Sequence, residues 1–396
     1  MTTLHESTSF DAIIGGGSVS GLFAAREMAS KGMKVLVLEE DHEIGTPEHC
    51  GGVVSQKGLE ALGIIPRIKT FDNEIRQAII KTKNNSIEVN AVNQKVIVID
   101  RRSFDKEIAF QAQSHGAEIN TNSLIVGIAY EDNWFKVKIK GGTIYKSKYF
   151  VDARGVGTLV NKGLRNIIPS GQYEVYAPWI EKDTIEVIFD AERYPGFFAW
   201  IIPTGEGKGK IGVAGKSINP NFLLESFLKT RGRPYSIIRK IYAPIWIAGY
   251  VRPFYNGKNV RVGDAAGQTK PTTAGGIYTG GMGGIYAGRA IALSLSEGEE
   301  TSYLSHYEQK WLSKFGKEFD RLLFLRRILE RLDNKSFDKI FSEISTKTLD
   351  VISDTADFDF HSFSLRQFLD TRTTLNLLSA IMGNEYRKII KDLSKI

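Results

Sequence analysis

The sequence predicts an α/β fold, in which a parallel sheet covered by helices is combined with a strand-rich domain and a helical C-terminal region. Three observations support this class. Residues 9–39 follow the order strand, glycine turn, helix, strand, which is the order of a βαβ unit. Strand signals dominate residues 67–99 and 171–214, and the pattern becomes helical after Gly276 and stays so to Ile396.

The first βαβ unit is the clearest local pattern. Apolar residues 12–14 run directly into three glycines, and residues 35–38 form a second, fully apolar strand. Apolar side chains at helical spacing lie between them. Because short, continuously apolar strands suit a sheet that is covered on both faces, the unit predicts a Rossmann-type parallel sheet.

Further elements follow along the chain. A helix is predicted over Ser103–His115, and strand signals extend over residues 125–144 and 149–151. The helical C-terminal pattern is broken near Asn334 and Asp357. The strands predicted after residue 171 include 184–190, 197–202 and 210–214.

Composition bounds the class of protein. At 396 residues the chain is long enough for two or three domains. Its single cysteine, Cys50, excludes an intrachain disulfide and a cysteine-rich metal site, and no metal is predicted. Residues 1–11 have the pattern of neither a signal peptide nor a transit peptide, and no apolar run approaches the roughly 18 residues of a membrane span. We therefore predict a cytoplasmic protein.

The chain carries an excess of positive charge, with a formal net charge of +7. A solvated, lysine-rich surface is the simpler explanation. Attraction to lipid headgroups, a diphosphate or an acidic electron donor is the alternative, which leaves a peripheral membrane contact open. Because the sequence has no basic helix, zinc knuckle or RNA-binding signature, no nucleic-acid partner is predicted.

The glycine turn of the βαβ unit predicts a dinucleotide site. Gly15 permits the tight turn, and Gly17 lets the backbone approach a pyrophosphate at the helix N-terminus, with Ser18 in the same turn. Ser20 stands where the third glycine of the fingerprint is usual. Glu39 follows 24 residues after Gly15, where a carboxylate accepts hydrogen bonds from ribose hydroxyls. A glycine turn without a ligand and a solvated glutamate are the alternatives.

A segment far along the chain supports the same prediction. A strand ends in Gly263-Asp264 and is followed by PTTAGGI at residues 271–277. This pattern resembles the second FAD signature of the para-hydroxybenzoate-hydroxylase-like flavoproteins. The resemblance implies that the aspartate binds the ribityl chain and that the glycines open a helix facing the flavin, where N–H groups stabilise negative charge. The alternative is an aspartate that only caps a helix. The residues thereby assigned to FAD are Gly263, Asp264, Gly275, Gly276 and Ile277.

Two shorter elements agree with this resemblance. Arg101, in the segment DRRSFD, occupies the place of the family arginine that lies near the flavin chain and phosphates. Residues 151–155, VDARG, match the middle Ala-Asp-Gly element, with Arg154 where an acid is common. A surface or salt-bridge role is the alternative for either arginine.

The motifs and the secondary-structure pattern together predict a division into domains. The FAD-binding domain is discontinuous, the substrate domain consists mostly of antiparallel strands, and the last domain is helical. Their predicted bounds are 1–65, 95–165 and 255–300 for the FAD-binding domain, 66–94 and 166–254 for the substrate domain, and 301–396 for the helical domain.

The segment PEHCGG at residues 47–52 lies shortly after the second strand. It resembles the Pro-x-x-Cys-Gly element of the geranylgeranyl reductase family, whose FAD-dependent members saturate carbon–carbon double bonds of prenyl chains. The resemblance implies that Cys50 and Gly51 lie beside the flavin. Cys50 is then the first candidate to serve the reaction, and His49 is a second candidate acid. An inert, buried cysteine is the alternative.

The segment FAWIIP at residues 198–203 falls where this family carries Tyr-x-Trp-x-Phe-Pro. Trp200 and Pro203 match the family element, whereas Phe198 and Ile202 depart from it. Phe198, Trp200 and Ile202 share one face of the predicted strand and could form the wall of an apolar pocket. Phe198, Trp200 and Pro203 are therefore the predicted substrate-binding residues. A core strand with one aromatic face is the alternative.

Together the motifs predict an FAD-dependent reductase that saturates double bonds in isoprenoid (geranylgeranyl) chains of archaeal-type membrane lipid precursors. Hydride would pass from N5 of reduced FAD to one alkene carbon, and an acid would protonate the other in a dry, apolar pocket. The implied partners are a prenyl lipid or prenyl diphosphate as substrate and reduced ferredoxin or NAD(P)H as the electron source.

Two other functions remain open. A flavin-dependent monooxygenase or halogenase would act on an apolar or aromatic substrate, with reduced FAD reacting with oxygen. Halogenation would require a lysine between flavin and substrate, for which the sequence offers Lys81 and Lys83 without placing them there. The third possibility is a flavoprotein that binds a lipid or a partner without turnover.

Overall fold

The computed structural model describes residues 9–65, 69–362 and 364. The helices predicted for residues 365–396 lie outside the described residues. The strands are β1 (Ser9–Gly15), β2 (Val35–Leu38), β3 (Val53–Ser55), β4 (Phe71–Ile75), β5 (Gln77–Lys81), β6 (Ser86–Asn90), β7 (Val96–Ile99), β8 (Glu118–Asn120), β9 (Ile125–Glu131), β10 (Trp134–Ile139), β11 (Ile144–Asp152), β12 (Ile167–Tyr176), β13 (Thr184–Ile188), β14 (Ala199–Gly205), β15 (Lys208–Ala214), β16 (Ser236–Trp246), β17 (Tyr255–Asn256) and β18 (Asn259–Arg261). The helices are α1 (Val19–Ala29), α2 (Gln56–Ala61), α3 (Arg101–Ser114), α4 (Pro220–Arg231), α5 (Ile277–Ser296), α6 (Leu304–Trp311), α7 (Lys317–Leu329), α8 (Asn334–Ser342) and α9 (Thr346–Thr355).

An eight-stranded sheet contains the N-terminal βαβ unit. Its strand order is β17-β18-β11-β1-β2-β8, with β10 beside β11 and β9 beside β10. The pairs β1/β2, β1/β11, β2/β8 and β11/β18 are parallel. β2 is buried along its whole length, as its continuous apolar sequence predicts. The prediction of an α/β fold with a Rossmann-type parallel sheet is confirmed.

Helix α1 lies against helix α5 at very short range. A Cβ at Gly284 of α5 would collide with the backbone oxygen of Ser20 at the start of α1, and a Cβ at Gly288 would meet Ala24 in the next turn. Glycine at these positions therefore lets two helices from distant parts of the chain pack backbone against backbone. This contact brings the N-terminal glycine turn close to Gly263, whose Cβ position is filled by the Ser20 side chain.

A second sheet of seven strands has the order β16-β12-β15-β14-β13-β5-β6. All neighbouring pairs are antiparallel except β5/β13, so the mostly antiparallel second region is also confirmed. Helix α4 covers one face of this sheet, where Leu224, Phe227 and Leu228 pack with Tyr173 and Ile211. The three-stranded sheet β3-β7-β4 packs against β14 through a cluster that includes Val98 and Ile202.

Several boundaries differ from those that the sequence predicts. Helix α3 begins two residues earlier than predicted because the Asp100 side chain accepts the Ser103 N–H and caps it. Strand β14 begins at Ala199 instead of Phe197 because the Phe197 N–H bonds to Tyr194 O in a turn. Helix α4 and strand β16 were not predicted at all.

The C-terminal helices pack on the FAD-signature segment and on the second sheet. α6 continues through a π-helical turn, Leu312–Gly316, into α7. The buried Trp311 donates from its Nε1 to the backbone oxygen of Thr279 in α5, at 3.0 Å. Asp338 of α8 accepts the backbone N–H of Asn84 at 3.0 Å, beside β6. No helix in the described residues is both long enough and apolar enough to cross a membrane.

Candidate functional site

The sequence-predicted dinucleotide residues converge at one edge of the parallel sheet. Gly15 ends β1, Glu39 follows β2, and Gly263 and Asp264 follow β18. These three strands run parallel to one another through β11, so their carboxyl ends lie on the same side. This edge is where parallel α/β sheets bind dinucleotides.

Glu39 is held in place by the glycine turn. Its Oε2 accepts the Gly17 N–H at 2.6 Å, and its Oε1 accepts the Asp41 N–H at 3.0 Å. Burial raises the pKa of Glu39, and the two backbone N–H groups oppose that rise. The carboxylate therefore stands in the turn with a fixed orientation, as recognition of a ribose requires.

The two helices that open onto this edge begin without side-chain caps. Neither Ser18 at the start of α1 nor Gly276 at the start of α5 provides a capping hydrogen bond. By contrast, α2, α3, α4, α8 and α9 are all capped by a side chain. Helices α6 and α7 also have no side-chain cap, but each continues directly from a preceding helical turn. Uncapped N–H groups at a helix N-terminus bind anions and electron-rich atoms. The residues present thus fit a diphosphate at α1 and the flavin pyrimidine at α5, which are the places FAD requires.

Asp264 lies between these two helix ends. Its Oδ1 accepts from the Thr269 hydroxyl, and a Cβ at Gly276 would lie 3.5 Å from that same oxygen. Burial raises the pKa of Asp264, whereas Thr269 and the more distant Arg101 lower it. The preceding Gly263 donates its N–H to the side chain of Gln268 at 2.8 Å. The carboxylate thus lies next to the start of α5, and its contact with the ribityl chain stays a prediction of the family resemblance.

Arg101 connects the glycine turn to the cysteine segment. Its Nη2 lies 2.9 Å from Asp105 Oδ2 and 3.4 Å from Ser18 Oγ, and the guanidinium also contacts the Cys50 side chain. Burial alone would lower the pKa of Arg101, but Asp105 and Cys50 raise it above its ordinary value. Arg101 is therefore a fixed cation between α1 and the only thiol.

The Cys50 segment lies between the cofactor edge and the second sheet. The half-buried Cys50 accepts the Gly52 N–H on its Sγ at 3.3 Å. Its backbone oxygen accepts from Gln172 Nε2 at 3.2 Å and from Lys210 Nζ at 3.3 Å. A Cβ at Gly51 would collide with Ile202 of β14, which shows how closely the segment lies on the sheet.

His49 lies at the rim of this segment. Its side chain is exposed overall, yet desolvation of the ring by nearby protein atoms lowers its pKa from the ordinary value, and Arg101 lowers it further while Asp41 opposes both. At neutral pH the ring is therefore uncharged and accepts protons more readily than it donates them.

The aromatic segment forms part of a wall that faces Cys50. Trp200 donates from Nε1 to Gln172 Oε1 at 3.1 Å, and its ring covers Gly212 of the neighbouring strand. The Phe198 ring lies edge-on to Trp200 at 6.0 Å between centroids. Trp200, Phe198 and Ala274, which lies in the segment between Asp264 and α5, all pack against the same buried cluster. This cluster therefore connects the aromatic wall with the segment that precedes α5.

Pro203 lies apart from this wall. Side chains alternate along β14, so Pro203 shares the face of Ile201, which packs in the cluster beneath α4. Trp200 and Ile202 lie on the opposite face. Pro203 instead accepts a hydrogen bond on its backbone oxygen from Asn73 Nδ2 at 3.2 Å.

The remaining arginine and lysine candidates are engaged in ion pairs. Arg154 binds Asp152 at 2.8 Å. Lys81 binds Glu186 at 2.7 Å, and Lys83, with 57% of its side chain exposed, lies 3.9 Å from Glu192. No group of three or more His, Cys, Asp or Glu side chains within the described ranges could hold a metal ion.

Sequence reasoning missed four polar residues around the site. Glu48, Gln172, Lys210 and Lys270 are all buried. Lys270 lies in the loop before α5 and donates to Phe358 O at 2.8 Å, and burial lowers its pKa. A signal was available for Lys210 and Gln172, because polar residues alternate on one face of both β15 and β12, which is unusual for strands that are otherwise buried.

Comparisons with known proteins agree with this geometry. Residues 11–163 match the family described as FAD dependent oxidoreductase. A digeranylgeranylglycerophospholipid reductase 2 of Methanothermobacter thermautotrophicus is 28% identical, over 87% of this chain and 94% of the relative. The protein of the same name from Methanopyrus kandleri is 29% identical, over 88% of this chain and 90% of the relative.

Solved structures share the fold. A geranylgeranyl bacteriochlorophyll reductase-like protein from Thermoplasma acidophilum superposes with a TM-score of 0.81 at 23% identity, covering 94% of this chain and 99% of that chain. A flavin-dependent brominase superposes with a TM-score of 0.66 at 16% identity, covering 98% of this chain and 100% of that one. Both likenesses concern the fold alone.

Proposed function

Because the chain is an FAD-dependent oxidoreductase related to the digeranylgeranylglycerophospholipid reductases, we propose that it saturates carbon–carbon double bonds in the geranylgeranyl chains of lipid precursors. One observation carries the proposal. The only cysteine contacts Arg101 on the cofactor side, and its backbone is tied through Gln172 to Trp200 on the apolar side. This arrangement supports our proposal that the thiol lies where a flavin edge and an apolar chain meet.

The proposed chemistry divides the work between cofactor and protein. Reduced FAD supplies a hydride equivalent when it is bound. An isolated alkene has no carbonyl to accept negative charge, so a proton must reach the second carbon as the hydride reaches the first. Cys50 is our candidate to hold that proton at Sγ. His49, which is uncharged at neutral pH, would accept a proton from solvent and return it to the site.

The protein would also exclude water and orient the chain. Phe198 and Trp200 would contact the prenyl chain, and the buried cluster that they share with Ala274 would bring the chain near the segment before α5. The positive net charge would favour a substrate with a diphosphate or phospholipid headgroup. We propose that the enzyme works in the cytoplasm, meets its substrate at a membrane surface, and takes electrons from reduced ferredoxin or NAD(P)H.

An anaerobic product assay tests this function. The purified protein is loaded with FAD, reduced chemically, and incubated with a digeranylgeranylglycerophospholipid, and the lipid is analysed by mass spectrometry. A gain of two hydrogens for each reduced double bond is expected, with a large loss of turnover in Cys50→Ala. If the lipid instead gains oxygen or halogen after air and halide are admitted, the protein is a monooxygenase or a halogenase and the reductase proposal is wrong. If Cys50→Ala saturates the lipid at the wild-type rate, the proposed role of the thiol is wrong, whereas the proposed reductase function stands.

A further inference from the structure

Two buried side chains from the second sheet converge on one backbone atom of the cysteine segment. Lys210 of β15 and Gln172 of β12 both donate to Cys50 O, at 3.3 and 3.2 Å. The Lys210 side chain is only 4% exposed. A buried lysine is costly unless it is paired and hydrogen-bonded. The position of the Cys50 carbonyl is therefore set by specific hydrogen bonds and not by packing alone.

The charge of Lys210 is balanced within the same segment. Its Nζ lies 2.5 Å from Glu48 Oε1, and the Glu48 side chain is 3% exposed. The same Glu48 oxygen accepts the backbone N–H of Arg101 at 3.2 Å. Asp72 also faces Lys210, and burial raises the pKa of Asp72 to about 6. The two neighbours of His49 are therefore both anchored. Glu48 is anchored through its side chain and Cys50 through its backbone carbonyl.

The network extends to the substrate wall. Gln172 uses its amide N–H for Cys50 and its amide oxygen for Trp200 Nε1, at 3.1 Å. The distance between the thiol segment and the Trp200 ring is thus set by one side chain. Ile202, two residues along the same strand face, closes against Gly51.

We propose that Lys210 and Gln172 are positioning residues for Cys50, which fix the thiol relative to Trp200 and to the flavin edge. Neither residue is assigned a contact with reacting atoms. An effect of Lys210 and Gln172 on turnover rests on the proposed reductase function, in which the thiol must meet an alkene carbon. Their effect on the position of Cys50 does not depend on that function.

The single cysteine makes the positional claim directly measurable. Alkylation of the folded, FAD-loaded protein by iodoacetamide reports only on Cys50, since the chain has no other thiol. The rate is measured in alkaline buffer, well above pH 6, so that Asp72 stays ionised in every variant. Lys210→Met and Gln172→Leu are each expected to raise the rate at least tenfold, because the segment loses a tether and exposes Sγ. Lys210→Arg, which keeps a buried charged donor, is expected to stay within threefold of wild type.

Lys208→Met is the matched control. Lys208 lies two residues away on the same face of β15 and pairs with Glu174 at 3.4 Å, but its side chain is 36% exposed and has no bond to the cysteine segment. In the Lys208→Met variant, the alkylation rate of Cys50 should stay within twofold of the wild-type rate. Lys210→Met leaves the buried Glu48 with only the more distant Arg102, 3.9 Å away, as its cation, which threatens folding. The double variant Glu48→Gln/Lys210→Met therefore removes both buried charges together. FAD absorbance and melting identify the variants that are folded.

Turnover separates positioning from general damage. Folded Lys210→Met, Gln172→Leu and the double variant are expected to lose kcat at least tenfold, with KM for the prenyl lipid within threefold of wild type. Folded variants whose alkylation and kcat both match those of Lys208→Met would overturn the proposal. A wild-type protein that saturates no prenyl lipid would instead count against the proposed function, and the alkylation rates would still decide the positioning role.

Discussion

The substitution Glu39→Gln tests the cofactor edge at a single oxygen. Both carboxylate oxygens of Glu39 accept a backbone N–H, Oε2 from Gly17 at 2.6 Å and Oε1 from Asp41 at 3.0 Å. Glutamine has one acceptor oxygen. Its NH2 group would therefore point at one of these two backbone N–H groups, which are both donors, and that hydrogen bond would be lost. A hydrogen bond to a charged group contributes roughly 1.5–3 kcal/mol. Glu39 is also the predicted acceptor for a ribose hydroxyl of FAD, and the loss of one such hydrogen bond from the complex corresponds to FAD binding that is weaker by about 10- to 150-fold.

The measurement is a titration of the apoprotein with FAD, followed by quenching of flavin fluorescence. Glu40→Gln is the control, since Glu40 is the exposed neighbour. Burial raises the pKa of Glu39, so wild-type affinity should fall as the pH drops through that raised value and protonates the carboxylate. Glu39→Gln should lack this dependence. Equal affinities for Glu39→Gln and Glu40→Gln, or a pH profile in Glu39→Gln that matches wild type, would show that the Glu39 carboxylate does not bind FAD.

Three further predictions concern the stability of the frame around the site, each measured as the free energy of unfolding in urea. Lys270→Met should cost about 3–5 kcal/mol because it leaves Asp359, 3.8 Å away, buried without its cation; Lys270→Met/Asp359→Asn should cost clearly less, and equal losses would contradict the pairing. Gly284→Val should cost about 1–3 kcal/mol because its side chain collides with the backbone of α1, whereas Gly157→Ala, with open space around its Cβ position, should be nearly neutral. Burial lowers the pKa of His361 to about 3, so the unfolded chain binds its proton first and stability should fall as the pH drops from 6.5 toward 3; His361→Gln should reduce that slope, and identical slopes would contradict it.

The parts of the fold that local sequence determines were predicted well. The βαβ unit could be identified because strand, glycine turn and helix are adjacent in the chain, and the spacing from Gly15 to Glu39 follows from the lengths of those elements. Helix α4 was missed although Asn219 caps it and Pro220 follows at its first position. Strand β16 was missed because its side chains are mostly exposed or half-buried and its pairing with β12 is long-range.

The site residues also divide into those that belong to local motifs and those that only long-range contacts bring together. Gly17, Asp264 and Cys50 belong to short motifs, so their types and spacing pointed to a cofactor before any contact was known. Gln172 and Lys210 belong to strands that become neighbours of Cys50 only when the second sheet closes on the segment. Their importance comes from burial and from bonds across 122 and 160 residues of sequence, which local spacing does not contain.

We propose that the uncapped starts of α1 and α5 hold FAD against the only thiol of the chain. The most direct measurement compares the alkylation rate of Cys50 in the apoprotein and after addition of FAD. We predict that FAD binds and slows alkylation, because the flavin covers the side of Cys50 that Arg101 approaches. A protein that takes up no FAD, or one in which bound FAD leaves the alkylation rate unchanged, would show that these helix ends do not hold a flavin over Cys50.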